Sequence, residues 1–290
     1  MRKAVNKLTN IVLAMSCSLA LAGSGALADG NHDYPDVGHW PGSFVKCDHG
    51  QKIQDAVDRA REGDTIKVRG ACIENVEIAT AGLKLIAVDG ASVTAADSTV
   101  AVFRVHARDV VIRGFRIVGG SHGVMVYRSG AVILQGNDIS NATVTAGVLV
   151  TSNSYAMVGG DGPSAANNIH NNPTGIAVRM ASSADIFYNT IHHNNRGIQV
   201  GGGAIDISNN LIEDNADRGL YAYQNGAVTF STTPATSGGA NVFNRNGVGV
   251  YCSLGGSMTG DPQVFGTGTD ANGANTSISG SCTVTSGLGF

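Results

Sequence analysis

Arginine, tyrosine and histidine side chains recur at fixed positions around a repeated glycine, and their chemistry suits an acidic sugar. Arg196 and Arg218 each stand directly before that glycine, and Tyr221 stands two residues after it. An arginine can hold a carboxylate through two parallel hydrogen bonds, and a tyrosine ring can pack on a sugar face. In a lyase the two arginines would neutralise a uronate carboxylate, and Tyr221 or His122 would transfer the proton. The expected substrate-binding residues are Tyr127, Arg179, Gln199 and Tyr223.

A second group of polar residues follows a repeated Asn-x-Ile phrase. His170, His192 and Glu213 each stand one residue after it. Imidazole and carboxylate groups can hold a transition metal or act as an acid and a base. Polar residues that merely fill turns would show the same pattern, so these three are the weaker candidates. We predict no cofactor, since a calcium or transition-metal ion has no further support in the sequence.

The elements that would position these residues follow from an internal repeat. Asn-x-Ile/Phe begins at residues 137, 167, 189, 210 and 241, and Gly-apolar-x-Val/Ala begins at residues 123, 147, 175, 197, 219 and 247. Steps of this size also fit leucine-rich or helical repeats. Each unit, however, holds short alternating β-type runs punctuated by Gly, Asn and Ser, without a helical pattern. The repeat therefore predicts an all-β, single-stranded solenoid with stacked inward Val, Ile and Leu side chains and a ladder of asparagines.

Strand alternation places the candidate residues on the outside of this coil, with Val124, Val126, Ile198 and Val200 pointing inward. The first outward column is His122, Ala146, Thr174, Arg196, Arg218 and Asn246. The second is Met125, Leu149, Ala177, Gln199, Tyr221 and Gly249, and the third is Tyr127, Thr151, Arg179, Gly201, Tyr223 and Tyr251. Arg196 stacked on Arg218 places like charges together, which favours an anionic partner. The alternative is that these charged and aromatic residues only cover the solvent-exposed face of a sheet, and the sequence leaves both interpretations open.

Four cysteines follow the first thirty residues: Cys47, Cys72, Cys252 and Cys282. Four cysteines allow three pairings. Cys47 and Cys72 are about one repeat apart, as are Cys252 and Cys282, so each pair would meet at the strand spacing, whereas the other pairings would span several repeats. We therefore predict two local disulfides that secure the terminal turns of the coil. A metal site is the alternative, and no Cys-x-x-Cys spacing supports it.

The N-terminal residues predict an exported protein. Basic residues at positions 2, 3 and 7 precede an apolar run from Ile11 to Gly23 and then Ala26-Leu27-Ala28, the three parts of a signal peptide. We expect residues 1–28 to be the signal peptide, 29–44 an extension and 45–290 the solenoid, secreted or periplasmic after cleavage near Ala28. The alternative, a lipoprotein with Cys17 as the lipidated residue, lacks a good lipobox. No later stretch predicts a membrane span.

The composition agrees with a turn-rich β protein. Glycine supplies 40 of 290 residues, and charged residues make up 14% of the chain. The net charge of −3 would become −6 on loss of the three basic residues of the signal peptide, so nothing favours nucleic acid or an anionic membrane as a partner.

The start of the coil carries a more specific pattern. A short amphipathic helix predicted at Ile53–Ala60 precedes the runs Gly63–Val68 and Ile73–Ile78, and Ile112–Ile117 follows ahead of the repeated units. This pattern resembles the pectate-lyase-like superfamily of right-handed parallel β-helix proteins, within it the parallel β-helix repeat group that includes carbohydrate-binding, sugar-hydrolase-like and NosD-like proteins. The resemblance covers roughly residues 45 to 260. It implies a right-handed parallel β-helix with a short N-terminal capping helix.

The resemblance specifies the fold far more closely than the reaction, because the repeats are scaffold motifs. The chain lacks the acidic calcium-ligand cluster of pectate lyases on its Arg/Tyr side, the signature motifs of polygalacturonase-like hydrolases and the Asp-Pro-His-Asp of alginate epimerases. The sequence therefore does not decide whether the protein is an enzyme. If it is one, we expect a polysaccharide lyase or a glycoside-hydrolase-like activity. In either case we expect the protein to bind a polysaccharide. The alternative is a non-catalytic adhesive, surface or periplasmic assembly-helper solenoid, with NosD-like metal handling as a variant. The sequence says nothing about oligomeric state.

Overall fold

The chain winds into an all-β, right-handed β-helix of about ten turns, which confirms the predicted fold. The computed structural model describes residues 43–231, 239–285 and 288. A turn of the coil, called a rung below, contributes one strand to each of three parallel sheets, A, B and C. Consecutive strands in one sheet therefore come from consecutive rungs, about 4.8 Å apart.

Sheet A has eleven strands: β1 (Ser43–Lys46), β2 (Thr65–Arg69), β5 (Lys84–Ala87), β8 (Val110–Arg113), β11 (Ala131–Gln135), β14 (Tyr155–Gly159), β17 (Ser183–Phe187), β20 (Ala204–Ser208), β23 (Ala227–Phe230), β26 (Ser257–Gly260) and β29 (Thr283–Val284). Sheet B has nine: β3 (Ala71–Ile73), β6 (Ser92–Thr94), β9 (Arg116–Val118), β12 (Asp138–Ser140), β15 (Asn168–His170), β18 (Thr190–His192), β21 (Leu211–Glu213), β24 (Val242–Asn244) and β27 (Val264–Phe265). Sheet C has nine: β4 (Val76–Ile78), β7 (Phe103–Val105), β10 (His122–Val126), β13 (Ala146–Val150), β16 (Thr174–Arg179), β19 (Arg196–Gly201), β22 (Arg218–Tyr223), β25 (Val248–Cys252) and β28 (Ala274–Ile278). One α-helix, α1 (Ile53–Arg59), and three 3-10 helices (Cys47–His49, Pro163–Ala165 and Gly268–Asp270) complete the described elements.

The core is one continuous stack of apolar side chains inside the coil. Val124, Val126, Ile198 and Val200, predicted to point inward, are all fully buried. Their register repeats from rung to rung, as Ile198 pairs with Ile176 on one side and Leu220 on the other. Each buried side chain of this size stabilises the fold by roughly 1.5 to 3 kcal/mol through loss of water contact.

Helix α1 covers the first rungs, as predicted. Ile53, Ala56 and Val57 lie on its buried face. The buried carboxylate of Glu74 accepts hydrogen bonds from the backbone N–H groups of Ile53 (2.9 Å) and Gln54 (3.0 Å). These donors have no partner within the helix, so Glu74 satisfies them and places a negative charge at the helix N-terminus.

Both predicted disulfides are confirmed. Cys47 is bonded to Cys72, with Cα atoms 5.1 Å apart, and Cys252 to Cys282, with Cα atoms 6.1 Å apart. Each bond joins residues of neighbouring rungs, one near each end of the coil.

The predicted asparagine ladder runs along the core. The side chain of Asn167 donates to Leu134 O (2.8 Å) and to Asn189 Oδ1 (2.9 Å), and this arrangement repeats from rung to rung. The ladder consists of Asn137, Asn167, Asn189, Asn210 and Asn241, and it ends on Gln263. All of these amides are buried and hydrogen-bonded, as buried polar groups must be.

A second ladder, which the sequence analysis missed, stands five residues further along the chain. Asn194 donates to Ile169 O and Asn215 Oδ1, both at 3.1 Å, and its own Oδ1 accepts the Asn172 backbone N–H at 3.0 Å. The members of the second ladder are Asn172, Asn194, Asn215, Asn246 and Asn272. The recurring spacing of Asn-x-x-x-x-Asn was its signal.

The glycine of the repeated phrase lies where the strand of sheet C passes this second ladder. A Cβ atom on Gly197 would lie 2.4 Å from Gly219 O and 3.1 Å from Asn215 Nδ2. No side chain fits there without moving the backbone, which explains why glycine recurs at this position.

The last repeat is shifted by two residues from its predicted register. Arg218 pairs with Val248 and Tyr221 with Tyr251, so the residue equivalent to Gly219 is Gly249. Strand β25 could align with β22 through Gly247 or through Gly249, and both alignments keep the same inward and outward alternation. The alignment through Gly249 is the one adopted, because it buries Asn246 in the second ladder. The predictions that Asn246 and Gly249 lie in the outward columns, and that Tyr251 lies beside Tyr223, were wrong.

The predicted signal peptide, residues 1–28, lies outside the described residues, as does nearly all of the predicted extension 29–44. The first strand, Ser43–Lys46, starts just ahead of the predicted boundary at residue 45. Within the described ranges, no helix is long and apolar enough to cross a membrane.

Candidate functional site

The outer face of sheet C carries the predicted Arg/Tyr residues in neighbouring strands. Arg196 at the start of β19 pairs with Arg218 at the start of β22, as predicted. Gln199 pairs with Tyr221, and Gly201 with Tyr223, on the same two strands. Regular stacking of rungs therefore brings the residues of two successive repeats together.

Asp217 neutralises the contact between the two stacked arginines. Its Oδ2 atom accepts hydrogen bonds from Arg196 Nε (2.9 Å) and Arg218 Nη1 (3.0 Å). All three side chains are about one-fifth to one-third exposed. The predicted stacking of Arg196 on Arg218 is confirmed, and Asp217, which the sequence analysis missed, forms an ion pair with both arginines. The signal in the sequence was the acid directly before Arg218.

Two tyrosines contact Arg218, and a third packs on one of them. The Tyr221 and Tyr223 rings are stacked with centroids 4.7 Å apart, and the Tyr251 ring meets Tyr221 edge-on at 5.1 Å. The Arg218 guanidinium lies 4.5 Å from the Tyr221 centroid and 4.2 Å from the Tyr251 centroid, within cation–π range. Tyr221 Oη is hydrogen-bonded to Ser253 Oγ at 3.1 Å. These contacts hold the tyrosine rings and the Arg218 guanidinium in place.

Arg179 and Gln199 extend this surface on the adjoining strands. Arg179 Nη2 donates to Gln199 Oε1 at 3.0 Å, and Gln199 is buried. The Tyr223 ring lies across Gly201, where a Cβ atom would come within 2.5 Å of it. We call the set the Arg–Tyr cluster; its members are Arg179, Arg196, Gln199, Asp217, Arg218, Tyr221, Tyr223 and Tyr251.

His122, the second proposed proton-transfer residue, does not belong to this cluster. It lies on β10, four strands from β22 in sheet C, or about 19 Å at the usual strand spacing of about 4.8 Å. Its ring is buried, with Nδ1 3.0 Å from Ser121 Oγ. Burial, assisted by the positive charge of Arg179, lowers the pKa of His122 to about 4. His122 and Tyr221 therefore cannot act on the same bond.

Tyr127 also lies away from the cluster, near the start of the coil. Its hydroxyl donates to Glu77 Oε1 at 2.9 Å, and its ring meets His106 edge-on at 5.5 Å. Arg104 forms an ion pair with the same Glu77 carboxylate. Burial and the hydrogen bond to Glu77 raise the pKa of the Tyr127 hydroxyl. Sheet C thus has a second polar and aromatic group at the opposite end from the Arg–Tyr cluster.

An apolar patch separates the two groups. Ala146, Leu149 and Ala177 form a small buried cluster against which Met125 packs, outside the main core. Ala146 and Ala177 are fully buried although strand alternation places them on the outer face. The outer face of sheet C is therefore polar and aromatic at both ends and apolar between them.

The weaker candidates stack on sheet B in the predicted register. His170 pairs with His192, and His192 with Glu213. The two rings are nearly parallel, with centroids 5.1 Å apart. His170 Nε2 lies 2.8 Å from Asp138 Oδ1, His192 Nε2 lies 2.9 Å from Asn168 Oδ1, and Glu213 accepts a hydrogen bond from Arg245 at 2.8 Å.

These partners disfavour the predicted trio as one metal site. Among the described residues, the only group of three His, Cys, Asp or Glu ligand atoms within 4.8 Å of one another is Cys47, Cys72 and Glu74. The two sulfur atoms of that group are joined in a disulfide and are not available to a metal.

The family of the chain follows from its sequence and coil together. The model of the right-handed β-helix region family matches residues 100–264, more than half of the chain. The chain belongs to the right-handed β-helix family. No curated protein sequence matches it significantly.

Solved structures of other right-handed β-helices resemble this family member. The periplasmic alginate epimerase AlgG matches with a TM-score of 0.53 and 16% identity, over 77% of this chain and 59% of the epimerase chain. Tailspike protein 2 from Escherichia coli O157:H7 bacteriophage CAB120 matches with a TM-score of 0.50 and 11% identity, over 80% of this chain and 39% of the tailspike chain. At these identities the likeness shows the shared β-helix fold. The chain spans well under two thirds of either protein.

Proposed function

We propose that this protein is exported and binds an acidic polysaccharide on the outer face of sheet C, at the Arg–Tyr cluster. The observation that carries the proposal is Arg218 held between two tyrosine rings beside Arg196 and Asp217. A guanidinium held next to half-buried tyrosine rings can bind a uronate carboxylate and the adjoining sugar face with little loss of side-chain entropy.

The charge balance of the cluster supports an anionic ligand. Arg179, Arg196 and Arg218 face the single carboxylate of Asp217 among the members of the cluster, which leaves two positive charges in excess. The whole chain is nevertheless acidic, with a net charge of −3. A local positive surface on an acidic protein directs a polyanion to one place. The name of the structurally similar epimerase refers to alginate, an acidic polysaccharide.

Binding without turnover is the form of the proposal that the contacts favour. The Tyr221 hydroxyl is engaged by Ser253, and the other suggested proton-transfer group, His122, lies four strands away. A lyase or hydrolase activity would need an acid and a base close to one bond. The alternative role as a non-catalytic adhesive, surface or assembly-helper solenoid is compatible with such binding.

Export is supported by the disulfides as well as by the N-terminal residues. Two disulfides in a small domain are typical of an oxidising compartment, either periplasmic or extracellular.

The binding test compares two double variants that remove the same charge. Arg196→Ala/Arg218→Ala takes both arginines from the cluster, and Arg113→Ala/Arg116→Ala takes two exposed arginines from sheets A and B. We expect calorimetry with polygalacturonate and alginate to show at least about tenfold weaker binding for the first variant, since each lost charge-assisted contact removes roughly 1.5 kcal/mol or more. The control should bind like the wild type. Neutral dextran should bind to neither.

Equal binding by the cluster variant and the wild type would refute the proposal, provided that circular dichroism shows both folded. Absence of polyuronate binding by the wild type would refute it as well. Release of unsaturated or reducing ends that is lost in Tyr221→Phe would instead establish turnover at this cluster.

A further inference from the structure

The residues around Tyr127 form a second polar and aromatic surface on sheet C. The Arg128 guanidinium lies 5.3 Å from the Tyr127 ring centroid, within cation–π range. The His106 ring meets Tyr127 edge-on, and the Glu77 carboxylate accepts a hydrogen bond from the Tyr127 hydroxyl and pairs with Arg104. We call this set the Tyr127 group; its members are Glu77, Arg104, His106, Tyr127 and Arg128.

The Tyr127 group contains the same parts as the Arg–Tyr cluster. Each set has a tyrosine with a guanidinium over its ring, a second aromatic ring edge-on to that tyrosine, and one carboxylate that pairs with an arginine. In both sets the arginines outnumber the carboxylates, so each surface attracts an anion. The chemistry that can hold a uronate at one end of the sheet is therefore present at the other end as well.

Arg128 is the member of the Tyr127 group that can take a carboxylate from a ligand. It is exposed, and its φ of 54° places it in the turn that follows β10. Among the described residues Arg128 forms no ion pair, whereas Arg104 is already paired with Glu77. Its guanidinium is held over the Tyr127 ring, where a carboxylate can approach it from solvent and bind through two parallel hydrogen bonds.

The strand register places the two surfaces on one line along the coil. The third outward column runs from Tyr127 through Arg179 to Tyr223, with the buried residues Thr151 and Gly201 between them. Tyr127 and Tyr223 stand four strands apart, or about 19 Å at the usual strand spacing of about 4.8 Å, and Arg179 stands midway. The Tyr223 ring lies across Gly201, on the side of Arg179.

The surface between the two sets is apolar and can carry the middle of a chain. Met125 is half-buried and packs on the buried side chains of Leu149 and Ala177. A sugar ring can lay its C–H face on such a surface while its hydroxyl and carboxylate groups stay in water. Aromatic, cationic and apolar contacts thus follow one another without a break from Tyr127 to Tyr223.

We propose that the Tyr127 group is a second subsite for the acidic polysaccharide, and that one chain lies along the coil axis over sheet C and contacts both sets. An extended chain of linked sugars advances per sugar by a distance similar to one rung, about 4.8 Å, so the ligand must have at least about five sugars. The inference rests on the binding proposed for the Arg–Tyr cluster. Two subsites joined by one ligand bind it more tightly than either alone, because the second contact is intramolecular.

The test measures binding of oligogalacturonates and oligomannuronates of three and eight sugars to the full chain by calorimetry. The key variant, Tyr127→Ala/Arg128→Ala, removes the ring and the free cation of the second subsite. We expect it to bind the octamer at least about tenfold more weakly than the wild type does, and the trimer equally well, since the Arg–Tyr cluster alone can hold a trimer. Phe44→Ala/Arg59→Ala removes an exposed ring and an exposed arginine from β1 and α1, and it should bind both oligomers like the wild type.

His106 reports on the second subsite in the wild-type protein. Its ring signals in NMR spectra, assigned with His106→Asn, should shift on addition of the octamer and stay in place with the trimer. Equal octamer affinity in the wild type and Tyr127→Ala/Arg128→Ala, or a His106 signal that the octamer leaves unmoved, would overturn the second subsite. The function proposed above would then still stand if Arg196→Ala/Arg218→Ala weakens trimer binding. Failure of the wild type to bind either oligomer would overturn both.

Discussion

His122 shows how burial changes what a single side chain can do. In the sequence it is a candidate for proton transfer, with an ordinary pKa near neutrality. In the folded chain it is enclosed beside Ser121, and its pKa falls to about 4 because a buried imidazolium loses its hydration. Near neutral pH the ring is therefore uncharged, and it acts as part of the covered outer face of sheet C.

This shift predicts acid sensitivity that depends on one residue. The unfolded chain protonates His122 near 6.5 and the folded chain near 4, so the unfolded state binds more protons between these values. The free energy of unfolding should fall by up to roughly 3 kcal/mol as the pH drops through this window. Urea unfolding at several pH values should show this fall in the wild type and a smaller one in His122→Asn. An identical pH dependence in the two proteins would contradict it.

For individual residues, the sequence predicted the strand register better than the side-chain contacts. The register of Arg196 on Arg218 followed from repeat spacing, yet Asp217, which lies between their charges, was missed. Alternation fixes which face a residue occupies, whereas a long side chain can reach across rungs. Ion pairs such as those of Asp217 depend on that reach and on local turn geometry.

The asparagine ladders are the elements that hold one rung to the next. Each amide of the second ladder donates to a carbonyl of one neighbouring rung and to the next amide, and it accepts a backbone N–H. Every rung therefore depends on its neighbours for buried hydrogen bonds, which couples the rungs cooperatively. The glycine beside each amide allows the backbones to come this close.

Removal of one ladder amide should therefore lower the free energy of unfolding strongly, whereas removal of the exposed asparagine next to it in sequence should not. Asn194→Ala would leave the Asn172 backbone N–H without its acceptor inside the coil, and it would remove the donor that serves Ile169 O and Asn215 Oδ1. We expect a loss of at least about 3 kcal/mol in the free energy of unfolding, since each orphaned buried group costs roughly 1 to 3 kcal/mol. Asn195→Ala, next in sequence but exposed, should change it by less than about 0.5 kcal/mol. Similar melting curves for the two variants would show that the ladder contributes little.

The repeat predicted the strands, the first ladder and the inward residues because all three follow one period. The second ladder was visible in the five-residue spacing of asparagines but was not recognised. The register of the last rung was not fixed by alternation, since a shift of two residues preserves the inward and outward pattern. Only the burial of Asn246 in the second ladder decides between Gly247 and Gly249.

For the molecule as a whole, each end of the described coil has its own stabilising contacts. The first rungs are covered by helix α1 and tied by Cys47–Cys72, and the last are tied by Cys252–Cys282. A solenoid rung contacts only its neighbours, so terminal rungs lose contacts on one side and open more easily than central ones.

Loss of one disulfide should consequently act locally. In Cys252→Ser/Cys282→Ser we expect faster amide hydrogen exchange in β25, β26, β28 and β29, with β10 to β16 unchanged, because opening of the final rungs does not require the middle to open. Hydrogen exchange read by mass spectrometry gives this resolution. Uniformly faster exchange along the coil would show that it unfolds as one unit instead.

The two ladders also bear on how such a chain can change its length through evolution. Every rung from Asn167 to Asn246 offers the same two amides to the rung before it and the rung after it. A tandem duplication or deletion of one complete repeat would therefore join interchangeable surfaces and leave no amide unmatched. Loss or gain of part of a repeat would break both ladders at once, so selection should favour genes that differ by whole repeats.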